Sequence, residues 1–331
     1  MSPQPLGSLS SDPALEASMT AAMERVEVAL HEAIKSDYPF VTETSAHLVD
    51  AGGKRFRPLL TLLAAQFGDP ERKEVIDAAV VVELTHLATL YHDDVMDEAM
   101  MRRGADSANA RWDNSIAILT GDFLFARASD ILADLGPEAV RIQARTFERL
   151  CIGQIRETVG PVDGADPVQH HIEVLADKTG SLIATAGRFG AMLSGADSVT
   201  TDVLTKFGEC IGVAFQLADD LVDITSESAQ SGKTPGTDLR EGIPTLAGLI
   251  AMTSTDAADA RLQSLLARPL PDDAEHAEAL SLLRSHAAIS EAREQARAWA
   301  DDARKSLSAL PATSAREALE ALCAYVVSRT G

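Results

Sequence analysis

Two stretches of the chain read LATLYHDDVMD, ending at Asp97, and VAFQLADDLVD, ending at Asp223. Each closes an apolar, helix-like run with two adjacent aspartates and a third three residues further on. On a helix Asp93 and Asp97 share a face, as do Asp219 and Asp223, with Asp94 and Asp220 turned away by about 100°. Like charges at this spacing repel by roughly 0.2–0.5 kcal/mol per pair, and carboxylates set against apolar turns are costly to desolvate. Such clusters call for a cation. A hard divalent ion suits them, Mg2+ above all, because it takes one or two carboxylates and completes its shell with substrate phosphate oxygens. A single cluster of this kind reads as easily as a solvated helix end; two copies, each ending an apolar helix, favour metal.

Phosphate chemistry also needs local positive charge, which this chain has to concentrate: 29 Lys and Arg stand against 50 Asp and Glu, a formal net charge of −21. Gly52-Gly53-Lys54-Arg55-Phe56-Arg57-Pro58 puts three cations on a turn leading into a helix, where backbone N–H groups add anion affinity. Arg102-Arg103-Gly104 follows the first acidic cluster closely, and Lys178 and Lys233 stand in acid-leaning surroundings. Cations on one side and metal on the other are the means of holding a diphosphate. The overall negative charge disfavours a nucleic-acid partner and attraction to anionic lipid.

The elements that must position these groups read as helices almost throughout. With 46% hydrophobic residues the chain is expected to build a sizeable core. Apolar residues recur at helical spacing over 15–34 and again over 74–96, and no stretch stands out as a strand. Gly- and Pro-containing breaks fall at 52–53, 68–70, 135–137, 160–167, 231–244 and 268–273. The expected organisation is a flexible tail over 1–13 and one all-α domain over 14–331. Cys151, Cys210 and Cys323 are widely spaced and odd in number, which suits a reducing compartment. No apolar run is read as approaching the ~18–20 residues that cross a bilayer, and residues 1–13 lack the pattern of a signal peptide. A cytoplasmic protein without stable membrane insertion is the expectation.

GGKRFRP, DDVMD followed by RRG, Gly153-Gln154, Lys178-Thr179-Gly180, and FQLADDLVD followed by GKTPGTD together resemble the trans-type polyprenyl diphosphate synthases, long-chain branch. The resemblance runs in order over about 46–246; the region 253–310 carries no motif. It implies an all-α bundle of the isoprenoid-synthase type around a central cavity, usually a homodimer. It implies Mg2+-dependent head-to-tail condensation of isopentenyl diphosphate onto an allylic diphosphate. In that reaction the allylic substrate ionises, the isopentenyl double bond attacks, and the departing diphosphate takes the proton. Carried over position by position, Asp93, Asp94 and Asp97 bind Mg2+ on the allylic diphosphate, and Asp219, with Asp220 and Asp223, holds a further ion. Arg102, Lys178 and Lys233 contact the allylic diphosphate. Lys54, Arg57, His86 and Arg103 form the isopentenyl diphosphate site, with Arg55 adjacent and of uncertain role. Thr179 and Gln216 face the reacting carbons. His92 is given no role. Many relatives carry a lysine after the Glu-Gly that follows the second motif; here Ile243 follows Glu241-Gly242, which places more weight on Lys233.

Product length in this family depends on the depth of the cavity below the first acidic motif. Ala88 and Thr89, five and four residues before Asp93, are small where short-chain members carry an aromatic, and Thr85 lies one turn further down. Phe147 is a candidate floor. Together with the resemblance of residues 107–128 to the long-chain branch, this predicts a product of about thirty to fifty carbons, set by cavity depth. Geranylgeranyl diphosphate synthase is the alternative. A class I terpene cyclase would lack GGKRFRP and the second DDxxD, and a non-catalytic synthase subunit would lose an acidic cluster.

Overall fold

The computed structural model describes residues 11–226 and 235–328. Lys233 lies outside them, so its predicted contact with the allylic diphosphate has no structural counterpart to report. The all-α expectation holds, with one local exception. Among the described residues the only strands are β1 (Met101–Arg102) and β2 (Ala105–Asp106), a two-residue-loop hairpin pairing Met101 with Asp106 and Arg102 with Ala105. Its turn residues, Arg103 and Gly104, have φ of 54° and 80°. Two positive φ values in a two-residue loop are the form whose twist matches a hairpin. The sequence hid this element because strands of two residues carry no alternation.

The helix read over 15–34 is α1 (Pro13–Ala33), begun by a proline and capped by Asp12, whose carboxylate accepts from the N–H groups of Ala14 and Leu15. Pro13, read as the end of the tail, is already its first residue. The helix read over 74–96 is α4 (Lys73–Met96). Next in the chain are α2 (Pro39–Asp50), α3 (Phe56–Ala65), α5 (Ala108–Arg111), α6 (Asn114–Leu135), α7 (Pro137–Val159), α8 (Pro167–Leu175), α9 (Ser181–Leu193) and α10 (Ser198–Thr225). The expected breaks at 52–53, 68–70, 135–137 and 160–167 fall between helices, while the interruptions around α5 and between α9 and α10 were not among those expected. A π-helical turn, Ala176–Gly180, joins α8 to α9. Beyond α10 come α11 (Thr237–Glu241), α12 (Leu246–Met252), α13 (Ala260–Leu266), α14 (Asp273–Ser285), α15 (Ala288–Ser306) and α16 (Ser314–Ser328).

The chain divides into two compact units. The first takes residues up to Phe147, Leu182–Gly208 and Ala309–Leu319; the second takes Glu148–Ser181, Glu209–Ser308 and the residues from Glu320 on. In the first unit α4 is apolar on every side, from Val75 through Val80, Val81 and Val82 to Leu87 and Tyr91, and it is packed by α1, α3 and α6. It is also long and apolar enough to cross a membrane by length and composition, contrary to the expectation that no such run exists. Burial of 72% of its apolar window inside the protein shows where that surface goes. In the second unit Val213, Leu217, Leu221 and Ile224 of α10 form a core with Leu246 and Ala247 of α12 and with Ala288, Ala292 and Ala296 of α15. Small residues along α15 let its axis approach its neighbours closely.

Candidate active site

In the first unit the basic motif and the first acidic motif converge on α4. Gly52 and Gly53 carry φ of 82° and 145°, and Arg55, the residue before α3, has φ of 47°. The φ of Gly53 favours glycine, and a β-carbon there would lie 2.9 Å from the Arg103 guanidinium carbon, so any larger residue would also displace that side chain. Arg103 donates to the carbonyls of Leu48, at 2.9 Å, and Gly52. Its neighbour Arg102 turns the other way and pairs with Asp94 at 2.5 Å. The hairpin thus aims adjacent arginines at two different motifs.

His86 is surrounded by this charge. Burial first, then Arg57, Arg103, Arg102 and Arg55, push its pKa well below the usual value, so the ring is neutral near pH 7. Arg57 is itself pushed down to about 10 by burial, with Glu83 opposing the shift and Arg103 adding to it. Its Nε is buried without a partner, a donor aimed at no protein acceptor. Four of the predicted residues (Arg57, His86, Arg102 and Arg103) are therefore mutually close through space. Arg55, whose role the sequence left open, is turned into the protein: it is 4% exposed and paired with Glu27 at 2.6 Å and Glu83 at 3.0 Å.

The three aspartates of the first motif differ in setting. Asp94 is fully buried, and burial raises its pKa against the pull of Arg102. One of its carboxylate oxygens has no partner. Asp93 is half-buried, and Asp97, which ends α4, is exposed. Among the described residues no three His, Cys, Asp or Glu side chains converge on one point. The donor set is that of a hard ion that takes a pair of carboxylate oxygens from one helix and completes its shell elsewhere.

In the second unit the π-helical turn Ala176–Gly180 carries Lys178 and Thr179, two predicted residues, on a backbone irregularity of a type frequent at functional sites. Gly153 explains part of the Gly153-Gln154 motif: a β-carbon there would lie 2.8 Å from the Lys178 backbone nitrogen, so α7 and the turn could not approach as they do. Asp177 fixes the turn by accepting from Arg149 at 2.9 Å and Arg156 at 3.1 Å. Lys178 pairs with Glu157. Thr179 Oγ1 donates to Gln216 Oε1 at 3.4 Å, and Gln216 Nε2 donates to Asp220 Oδ1 at 3.0 Å. The other Asp220 oxygen faces His171 Nε2 at 3.8 Å, a buried ring nitrogen without a hydrogen-bond partner. Asp223 accepts from the Asp238 N–H at 3.2 Å. Thr179, Gln216 and Asp220 are brought into one chain of contacts, which His171 extends.

Several of these residues escaped the sequence reading. His171, Arg149, Asp177 and Glu157 belong to no motif quoted above, and their partners lie 21 to 60 residues away. Glu83 carried a legible signal, a lone carboxylate inside the apolar run Val80-Val81-Val82-Glu83-Leu84. The positions read for product length are also distinct from one another. Ala88 is fully buried, and its backbone oxygen lies near α6, where a β-carbon on Gly121 would be 3.1 Å from it. Thr89 is only partly buried and donates to the His86 carbonyl. Thr85 is fully buried and accepts from Gln143 of α7 at 2.8 Å. Phe147 packs on Phe125 of α6 with ring centroids 4.4 Å apart. His92 lies against α6 as well, 3.4 Å from Asp122.

The pattern of the family described as Polyprenyl synthetase matches residues 38–283. Nonaprenyl diphosphate synthase of Mycobacterium tuberculosis is 49% identical over 321 residues, 97% of this chain and 96% of that protein. A crystal structure of geranylgeranyl pyrophosphate synthase from Corynebacterium glutamicum, complexed with calcium and isoprenyl diphosphate, superposes with a TM-score of 0.89 at 46% identity. It covers 97% of this chain and 99% of its own. A decaprenyl diphosphate synthase from Rhodobacter capsulatus gives a TM-score of 0.88 at 33% identity, covering 96% and 99%.

Proposed function

The chain belongs to the polyprenyl synthetase family, and on that premise we propose that it is a prenyltransferase making a long-chain trans-polyprenyl diphosphate, about thirty to fifty carbons, from isopentenyl diphosphate and an allylic diphosphate. The observation that carries the reading is the cluster of Arg57, Arg102 and Arg103 around a neutral His86, about two helix turns before the carboxylates of the first acidic motif. Lys54, Arg57, His86 and Arg103 hold the isopentenyl diphosphate, where the unpartnered Arg57 Nε supplies a ready donor. Arg102, Lys178 and Lys233 hold the allylic diphosphate, and Thr179 and Gln216 lie against its reacting carbons. Mg2+, held by Asp93, Asp94, Asp97, Asp219, Asp220 and Asp223, would supply positive charge to the leaving diphosphate. Lys178 and Arg102 add fixed charge to the same group as it departs. The family expectation of a homodimer is part of the proposal, as is a cytoplasmic location.

A long product is supported by the small Ala88 and Thr89 and by the 49% identity to a nonaprenyl diphosphate synthase. Geranylgeranyl diphosphate synthase is the second reading, favoured by the Thr85–Gln143 hydrogen bond, which crosses from α4 to α7 one turn below Ala88 and Thr89. The deciding experiment supplies purified protein with Mg2+, farnesyl diphosphate and excess labelled isopentenyl diphosphate, and reads chain length by chromatography. A ladder ending at or beyond thirty carbons is expected. A stop at twenty replaces the first reading with the second, and no consumption of isopentenyl diphosphate overturns both.

A further inference from the structure

Glu83 is a buried carboxylate among arginines. Its side chain is 2% exposed and sits three residues before His86 on α4, in an otherwise apolar run. It accepts from Arg55 Nη1 at 3.0 Å. The Arg55 side chain, 3% exposed, also donates to Glu27 at 2.6 Å and to the Val49 carbonyl at 3.0 Å. These bonds hold Arg55 in a left-handed conformation that L residues with side chains seldom adopt, immediately before α3 and between Lys54 and Arg57. The Glu83 charge also attracts Arg57 and Arg103, each of whose charged forms is disfavoured by burial.

For stability alone, an apolar residue in place of a buried ion pair does as well or better. For anion binding by simple attraction, a carboxylate beneath the site is a disadvantage. Both objections vanish if the carboxylate's work is to fix the arginines before the anion arrives. Three guanidinium groups packed together repel one another, and one buried negative charge among them lets all three stay ordered. Resting on the functional reading above, we infer that Glu83 is the positioning residue of the isopentenyl diphosphate site, setting the GGKRFRP turn through Arg55 and stabilising Arg57 and Arg103 in place.

The test is steady-state kinetics of Glu83→Gln with both substrates varied, alongside its thermal unfolding. The KM for isopentenyl diphosphate should rise about tenfold while the KM for farnesyl diphosphate stays within about twofold, because the lost interactions touch one site. Glu83→Asp, which keeps the charge, should recover part of that loss. An unchanged KM for isopentenyl diphosphate in folded Glu83→Gln, or an equal rise for both substrates, overturns the inference. Should Glu83→Gln fail to fold, Glu27→Gln removes the more exposed half of the Arg55 clamp and should give a smaller rise confined to isopentenyl diphosphate. No rise there overturns it equally. Wild-type protein that consumes no isopentenyl diphosphate would instead overturn the functional reading on which this one rests.

Discussion

A histidine among four arginines is held neutral by its surroundings, and His86 carries a stability cost when protonated. Its folded pKa lies below the unfolded value of about 6.5, so between the two the unfolded chain binds more protons. The protein without substrate should therefore lose stability as pH falls below about 6.5, and His86→Gln should flatten that part of the profile in denaturant titrations. The metal assignment is tested at the same scale. Asp93→Ala and Asp219→Ala should each lower kcat by about a hundredfold or more with little change in melting temperature, since both carboxylates are only half-buried and neither fills a core position. Full activity in either variant would remove that aspartate from the metal site. The aspartates were legible because their chemistry lies within one helix turn. Glu83 stood out as a lone carboxylate in an apolar run, but its role, like that of His171, was not legible, because each gains meaning only from a partner 28 or 49 residues away.

At the scale of elements, α4 carries the first motif, His86 and the positions proposed to set product length on one helix, and its periodicity was legible over nearly its whole length. The hairpin after it was not, though Arg103-Gly104 is a sequence that a turn with two positive φ values accepts. The π-helical turn was hidden too, since its five residues read as ordinary helix and only the close approach of Gly153 marks it. Two substitutions on α4 separate its faces. Thr89→Phe, at a partly open position, should shorten the product without stopping condensation. Ala88→Phe puts a large ring at a fully buried position and should destabilise the fold by about 1–3 kcal/mol by overpacking, whatever it does to product length. Product chromatography and thermal unfolding of the two variants check both statements; an unaltered ladder in Thr89→Phe would put the growing chain elsewhere.

At the scale of the molecule, the helical class followed from apolar periodicity, and the expected breaks at 52–53, 68–70, 135–137, 160–167 and 268–273 fall between helices, whereas the ends of α1, α5, α9, α12, α14 and α15 were not among them. The grouping of chain segments into two compact units was not legible, since both draw on distant stretches and no change of composition marks the boundary. The proposed homodimer belongs here. Ile118 and Leu119 of α6 are 43% and 61% exposed, adjacent apolar side chains of the kind that subunit contacts cover. Analytical ultracentrifugation should show a species of twice the chain mass, and Leu119→Glu should shift it towards the monomer. A monomer in the unsubstituted protein would refute the assignment.

The two arginines of the β1–β2 hairpin are chain neighbours, yet one reaches Asp94 of the acidic motif and the other reaches the Gly52 carbonyl of the basic turn. Any displacement of the hairpin is therefore felt by both. If seating one diphosphate draws Arg102 towards it, Arg103 moves in the same step, and the second diphosphate meets a site already altered. Such coupling is reciprocal: whatever factor the allylic substrate applies to the affinity for isopentenyl diphosphate, isopentenyl diphosphate must apply to the affinity for the allylic substrate. A turn of two residues would then let the protein sense that both halves of the bond to be made are present.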